Sequence, residues 1–244
     1  MKRRLDLLLV EKGFADSRQR ARELIMTGRV LVNDFPAAKP GAQVSEVDHI
    51  KLQGDPIPYV SRGGLKLEAA LKGFSVDPGG MTCMDVGAST GGFTDCLLQH
   101  GALLVYAVDV GYGQLAWKLR RDPRVIAIER ANIRYLAQSA LAEPVDLVVI
   151  DVSFISLKIV VPNLFKFLKP DAVLIALIKP QFEVGKGMVG KGGVVRDPQL
   201  HDSVLDDLMD FFIDQNLEIK ATMPSPILGP KGNKEFLIHL RFRG

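Results

Sequence analysis

The stretch MDVGASTGGFT (84–94) joins an apolar run to a helix-forming one through a glycine-rich turn. A turn of this kind at the carboxyl end of a strand lets backbone approach a ligand closely. It is not a P-loop, because no Gly-Lys-Ser/Thr follows, and it is not a clean G-x-G-x-x-G. Asp85, just before the turn, is a poor neighbour for phosphate and a good one for a cationic or zwitterionic ligand. Asp109 ends the next apolar run, 22 residues after Gly87. A carboxylate there can accept hydrogen bonds from both hydroxyls of a ribose. A positively charged nucleoside without phosphates satisfies both carboxylates, and S-adenosylmethionine is such a molecule. The plainer alternative is an ordinary βαβ turn beside a buried aspartate.

If a methyl group is transferred, the acceptor should be legible at the end of the fourth strand. Methylases of the adenine amino group typically carry Asn/Asp-Pro-Pro-aromatic there, and carbon-5 cytosine methylases need a cysteine nucleophile. This chain has IDVSFISL (150–157), and neither Cys83 nor Cys96 is near. A ribose hydroxyl is therefore a sensible acceptor. It is a weak acid, so its proton must be removed, or its developing alkoxide stabilised, as the methyl moves. Lys66, Lys179 in LIKPQF and Glu235 in GNKEF are the candidates for that work.

These residues need a scaffold. Strand-like runs cover 81–87, 103–110, 125–130, 145–153, 172–179, 217–224 and 235–242, with helical stretches near 91–100, 114–121, 157–168 and 199–214. Apolar strands alternating with helices predict an α/β domain whose parallel sheet is covered on both faces. Its ligands bind beyond the carboxyl ends of the strands.

The chain begins differently. Residues 1–52 hold ten Lys/Arg against seven Asp/Glu, whereas the remaining 192 residues hold 21 of each. The excess positive charge therefore lies in the first fifth, as in a polyanion-binding module attached to a neutral domain. Residues 4–13 have helical apolar spacing. Asp16 or Ser17 can cap a second helix that stops at Gly28, on which Arg18 and Arg22 share a face. VLVN (30–33), a turn at Asn33-Asp34 and HIKL (49–52) complete a small α+β unit. Two prolines and three glycines in 53–64 mark a linker. The expected domains are 1–58 and 59–244, with the linker at about 53–62.

RLDLLLVEKGFADSRQRARELIMTGRVLVND resembles the small RNA-binding fold shared by a primary-binding protein of the small ribosomal subunit, bacterial pseudouridine synthases and tyrosyl-tRNA synthetases. The resemblance implies phosphate contacts from Arg3, Arg4, Arg18, Arg20, Arg22 and Arg29, which position RNA without reading its sequence. SRGGLKLEAAL, MDVGASTGGFTDCLLQ, VDVGYGQL, IDVSFISL, IKPQFE and SPILGPKGNKEF together resemble the TlyA family across essentially the whole chain. Its members are ribosomal-RNA 2′-O-methyltransferases, historically labelled hemolysins, with an FtsJ-like, Rossmann-like catalytic domain. The resemblance implies S-adenosylmethionine as cofactor, cytidine ribose in ribosomal RNA or ribosomal subunits as substrate, and a catalytic tetrad of Lys66, Asp151, Lys179 and Glu235.

On that reading Lys179 takes the proton or stabilises the alkoxide, Asp151 orients it, and Lys66 and Glu235 complete the network. Asp85, Gly87, Ala88, Ser89, Thr90, Gly91, Gly92, Phe93, Asp109, Asn132 and Asp151 are expected around the cofactor. Arg62, Arg130 and Arg134 should reach the same rim and contact phosphates, and Phe154 should stack on a base turned out of its helix. Residues 181–198, with five glycines and three basic residues, read as a mobile flap over RNA with Lys186 its best contact.

Other classes remain to be weighed. One is a methyltransferase acting on a base or on another RNA, and one is an RNA-binding assembly factor without catalysis. A pore-former has little support, since no run approaches the ~18 apolar residues of a membrane helix. The N-terminus lacks a signal-peptide core, which points to a cytoplasmic protein. The two cysteines and four histidines lack metal-ligand spacing, so no metal is expected and the thiols read as buried and free. The expected state is a monomer.

Overall fold

Leucines at helical spacing and a serine cap build the first elements. A computed structural model describes residues 2–26, 28–37, 39–53, 57–185, 187–190 and 192–244, with Pro36 described by its backbone alone. It divides into two units, residues 1–56 and 57–244.

In the first unit, β1 (Lys2–Arg4) leads into α1 (Leu5–Glu11), and α2 (Arg18–Met26) follows. Ser17 Oγ accepts the Arg20 N–H at 3.1 Å and so caps α2. Leu5, Leu8 and Leu9 of α1 and Ala21, Leu24 and Ile25 of α2 bury one apolar face each, and these meet Val30, Val44 and Ile50. β2 (Val30–Val32), β3 (Phe35–Pro36), β4 (Gln43–Ser45) and β5 (Ile50–Leu52) complete the unit. β3-β2-β5 form one antiparallel sheet and β1 pairs with β4. Asn33 and Asp34 both have positive φ (51° and 67°), the conformation a two-residue hairpin turn requires.

The second unit starts with α3 (Gly63–Phe74) and β6 (Thr82–Val86), followed by α4 (Gly92–Gln99), β7 (Leu104–Val108), α5 (Trp117–Arg120), β8 (Val125–Ile128) and β9 (Val145–Ile150). Next come α6 (Leu157–Val160), β10 (Leu168–Ile178), α7 (Pro180–Glu183), α8 (Pro198–Asp214), β11 (Leu217–Pro224) and β12 (Phe236–Phe242). The seven strands run β11-β12-β10-β9-β6-β7-β8. One face packs against α6 and α8 through Leu157, Val160, Leu208 and Phe212, the other against α3 and α4 through Leu67, Leu71, Phe93 and Leu97. The chain reverses its direction of travel across the sheet between β6 and β9, which places the ligand crevice beyond the carboxyl ends of those two strands.

Two expectations need correction. The sheet is not wholly parallel, because β12 inserts antiparallel between β10 and β11. β11 and β12 are joined by a loop without a crossover helix, and such a connection returns the chain antiparallel. The helix expected over 157–168 is α-helical only to Val160 and continues as a 3-10 helix over Val161–Phe167. Pro162 has no N–H for the α-helical ladder.

The first unit holds a buried charge. Asp6 on α1 is fully buried and accepts Arg4 Nε at 3.0 Å, Arg4 Nη2 at 2.9 Å and Arg18 Nε at 3.0 Å. The hydrogen bonds from Arg4, then Arg18, bring its pKa from 3.8 down to about 2. A lowered folded-state value means the contribution is complete above the unfolded value and is lost as pH falls through the folded one. Amide exchange of α1 in the full chain should therefore accelerate between about pH 4 and about pH 2, and Asp6→Asn should flatten that window. An unchanged pH profile in Asp6→Asn would show that the clasp does not carry this stability.

Candidate active site

β6 delivers Asp85 to the edge of the sheet, and the turn that follows is shaped by close approach. Gly87 has φ +88°, and a Cβ there would lie 2.5 Å from the Asp151 carbonyl oxygen. Gly91 (φ +94°) leaves no room for a side chain against Leu119, and Gly92 lies against Ser61 and the start of α3. Ala88 and Phe93 are buried beside the turn. Ser89 takes φ +49°, its N–H donating to Asp109 Oδ2 at 2.7 Å. The Gly111 N–H donates to Asp109 Oδ1 at 2.6 Å, so Asp109 joins the turn to the loop after β7. Each Asp109 oxygen keeps a further lone-pair site. The Thr90 carbonyl accepts the Ala116 N–H at 3.1 Å.

Asp85 is fully buried. Its Oδ2 accepts the Thr94 N–H at 2.9 Å and the Thr94 hydroxyl at 2.6 Å, while Oδ1 is buried without a hydrogen-bond partner. Burial pushes its pKa from 3.8 up to about 7. The Thr94 hydrogen bonds oppose the rise, and the charges of Asp151 and Asp109 add to it. An orphaned buried carboxylate oxygen and glycines that admit close approach fit a cationic nucleoside better than an anionic one.

The neighbouring strand ends carry two ion pairs. Asp151 follows β9, Lys179 follows β10, and Glu235 precedes β12. The pairing of Phe236 with Ile178 therefore brings Glu235 to the same edge as Lys179. Lys179 Nζ lies 2.5 Å from Asp151 Oδ1 and donates to Ser153 Oγ at 3.0 Å. Lys66, on the first turns of α3, meets Glu235 Oε2 at 2.5 Å. Lys66, Lys179 and Glu235 are buried, and the other Glu235 oxygen has no hydrogen-bond partner. Gly229 is needed beside that carboxylate, since a Cβ there would lie 1.9 Å from Glu235 Oε1. The four tetrad positions thus come together as two pairs at the carboxyl edge.

The remaining positions are distributed. Phe154 is 90% exposed with φ +64°, a conformation that strains a bulky residue, and its ring lies 4.8 Å from that of Phe182. Arg130, beyond β8, sits 4.3 Å above the Tyr112 ring, and Arg134 sits 5.0 Å from the Tyr135 ring. Asn132 accepts the Arg134 N–H at 3.1 Å and Nε at 3.2 Å. Arg130, Asn132 and Tyr135 line an open cavity with Ser139. Arg62 immediately precedes α3.

In the first unit, Arg3 pairs with Glu11 and Arg20 with Glu23, while Arg22 is exposed. Arg29 Nε donates to the Gln53 carbonyl at 3.1 Å. Lys186 lies outside the described residues. The second half of the segment expected as a flap is tethered. Gly190 bridges Val194, and buried Asn233 accepts the Val195 N–H at 3.1 Å and donates to the Gly193 carbonyl at 3.0 Å. Both cysteines are free and buried. Among the described residues, no acidic, His or Cys cluster could hold a metal, and no helix is long and apolar enough to cross a membrane.

Sequence reasoning missed Ser153, Glu183 and Asn233. Ser153 and Glu183 sit inside quoted motifs, IDVSFISL and IKPQFE, but their partners lie on other elements, and only the fold supplies them.

A sheet of this order with a glycine turn at its switch point defines a Rossmann-like methyltransferase domain. The model for FtsJ-like methyltransferases matches residues 59–242, and that for the S4 domain matches residues 3–50. TlyA of Mycobacterium tuberculosis, named a 16S/23S rRNA (cytidine-2′-O)-methyltransferase, is 48% identical over 98% of this chain and 89% of its own length. Hemolysin A of Brachyspira hyodysenteriae is 42% identical over 97% of this chain and 98% of its own. A solved structure of a hemolysin-named protein from Streptococcus thermophilus superposes with a TM-score of 0.80 at 44% identity, covering 99% of this chain and 88% of that one. The chain belongs to the TlyA family of FtsJ-like methyltransferases.

Asp85, with its raised pKa, carries a pH dependence that can be tested. Its raised folded-state value means that its stabilising contribution is complete below about pH 4 and is lost as pH rises through about 7. Asp85→Asn should therefore raise the melting temperature of the ligand-free chain more at pH 8 than at pH 5. An equal shift at both values would show that Asp85 ionisation is not buried at a penalty.

Proposed function

We propose that the chain is an S-adenosylmethionine-dependent 2′-O-methyltransferase that acts in the cytoplasm on cytidine ribose in ribosomal RNA. The observation that carries this reading is the meeting of Lys179–Asp151 and Lys66–Glu235 at the sheet edge, beside a turn with an orphaned carboxylate oxygen. The name of the mycobacterial relative supports the acceptor.

When bound, S-adenosylmethionine supplies the methyl group. Asp109 would hold its ribose hydroxyls through the lone pairs not given to Ser89 and Gly111, and Asp85 would face its positive charge. The glycines at 87, 91 and 92 with Ser89 and Thr90 form the cradle, and Asn132 and Phe93 flank it. Lys179 works on the acceptor. Its Nζ pairs with Asp151 and donates to Ser153, and a further N–H of the ammonium can meet the ribose oxygen. In the ammonium form Lys179 stabilises charge on that oxygen, and in the neutral form it takes the hydroxyl proton. Asp151 fixes the direction of Nζ. Lys66 and Glu235 neutralise each other where both are buried.

RNA would be held by phosphate contacts from the S4 unit and from Arg62, Arg130 and Arg134. The stacking of Arg130 and Arg134 on tyrosines keeps their guanidinium planes ordered. The strained, exposed Phe154 supports a stacking role against the target base.

Incubation with labelled S-adenosylmethionine and unmodified ribosomal subunits should yield 2′-O-methylcytidine. Lys179→Ala should lower transfer by about two to four orders of magnitude, the usual range for a general acid or base. Undiminished transfer would remove Lys179 from its role, and a methyl group mapped to a base would replace the acceptor. Asp109→Ala should weaken S-adenosylmethionine binding by calorimetry while RNA affinity holds. Unchanged cofactor affinity would favour a non-catalytic RNA-binding factor.

A further inference from the structure

Glu183 is a partly buried carboxylate that the proposed reaction does not use. It closes α7, the single turn that starts directly after Lys179. Within that turn the Phe182 N–H donates to the Lys179 carbonyl at 2.8 Å and the Val184 N–H to the Pro180 carbonyl at 3.0 Å. The Glu183 side chain leaves its own turn and reaches the segment after Asp151. Oε2 accepts the Ser156 hydroxyl at 2.6 Å, and Oε1 accepts the Leu157 N–H at 2.9 Å. Ser156 Oγ in turn accepts the Lys158 N–H at 3.1 Å and caps α6. The Phe154–Phe182 ring contact joins the same two segments. Burial raises the Glu183 carboxyl above its usual range, and the bonds from Ser156 and Leu157 and the charge of Lys158 oppose that rise.

The loop from Asp151 to Ser156 has no regular structure and carries the left-handed Phe154. No backbone ladder holds it against α7. Asp151 itself is held at the end of β9 by its N–H to the Val86 carbonyl at 2.9 Å, but beyond it the loop meets α7 through side chains: besides the Lys179–Ser153 bond, these ties are the pair of hydrogen bonds to Glu183 and the Phe154–Phe182 contact. We infer that Glu183 is a positioning residue for methyl transfer: it fixes the loop bearing Ser153 and Phe154 against the turn that begins at Lys179, and so, through Ser153, sets the direction of Nζ from outside the site. This rests on the catalytic reading of Lys179.

The plainer role is a local cap for α6, which would affect stability and leave turnover alone. Full-length Glu183→Ala and Glu183→Gln separate the two. Glu183→Ala should lower kcat roughly ten- to hundredfold, as expected for a small misplacement of a reacting group, with KM for S-adenosylmethionine and for RNA unchanged. Glu183→Gln should recover most of that loss, because its amide oxygen can accept from Leu157 and its amide nitrogen can donate to Ser156. An unchanged kcat in Glu183→Ala would overturn the inference. So would a glutamine variant as impaired as the alanine one, or a loss of kcat matched by the loss of folded protein. Amide exchange supplies a readout that needs no activity. Residues 151–158 should exchange faster in Glu183→Ala while the 87–94 turn does not, and unchanged exchange in 151–158 would also overturn the tie. If the wild type transfers no methyl group, the proposed function fails, and the exchange measurement alone decides whether the tie exists.

Discussion

The carboxyl edge of the sheet is organised by the exclusion of water from charge. Lys66 and Glu235 expose 9% and 0% of their side chains and lie 2.5 Å apart. Removing one member of such a pair leaves an uncompensated buried charge, at a typical penalty of about 3–5 kcal/mol. The two residues are 169 positions apart in the chain, so their meeting constrains the whole second unit. α3 must lie over the edge, and β12 must start where β10 ends. The antiparallel insertion of β12 does the latter. A parallel strand in that place would have put Glu235 at the opposite end of the sheet.

The same edge is held together across strands by backbone. Gly87 sits so close to the carbonyl of Asp151 that any side chain would force the turn and the loop apart. The turn suited to a nucleoside and the first residue of the loop therefore share one wall at Gly87 and Asp151. Asp109 continues the linkage outward by receiving the Ser89 and Gly111 N–H groups. Asp85 lies beneath, and its unpartnered oxygen is the feature least explained by folding alone. A buried carboxylate oxygen without a donor lowers stability, and such groups persist where a ligand or a proton completes them.

Much of this architecture could be read from the chain, for identifiable reasons. Apolar runs separated by helical stretches gave the α/β class, and the glycine turn gave the location of the crevice. Ser17, Gly28 and Asn33-Asp34 obey local rules that do not depend on the rest of the fold. The direction of β12 could not be read, because apolar periodicity carries no orientation. The resemblance set Asp151 beside Lys179, but spacing alone pairs none of the four charges, and the direct meeting of Lys66 with Glu235 follows from strand order and helix placement. Ser153, Glu183 and Asn233 escaped for the same reason. Each is an ordinary residue in its local segment and acquires a task only through a partner elsewhere.

Charge shows the limit of composition most clearly. The excess of positive residues in the first fifth of the chain suggested a polyanion surface, yet Arg3, Arg4, Arg18 and Arg20 all have carboxylate partners there. Asp6 is the instructive case. It neutralises part of the charge of Arg4 and Arg18, but it also fixes two guanidinium groups that remain 42% and 55% exposed. A flexible arginine loses rotamer freedom on meeting a phosphate, whereas one already anchored on a buried carboxylate has lost much of it on folding. Arg130 and Arg134 reach a similar state in the second unit without a carboxylate, by lying on tyrosine rings. On the proposed reading, the net charge thus understates both units as surfaces for a polyanion. What matters is how many guanidinium groups are held in place with donors left over, and the ion pairs that lower the formal charge are among the means of holding them.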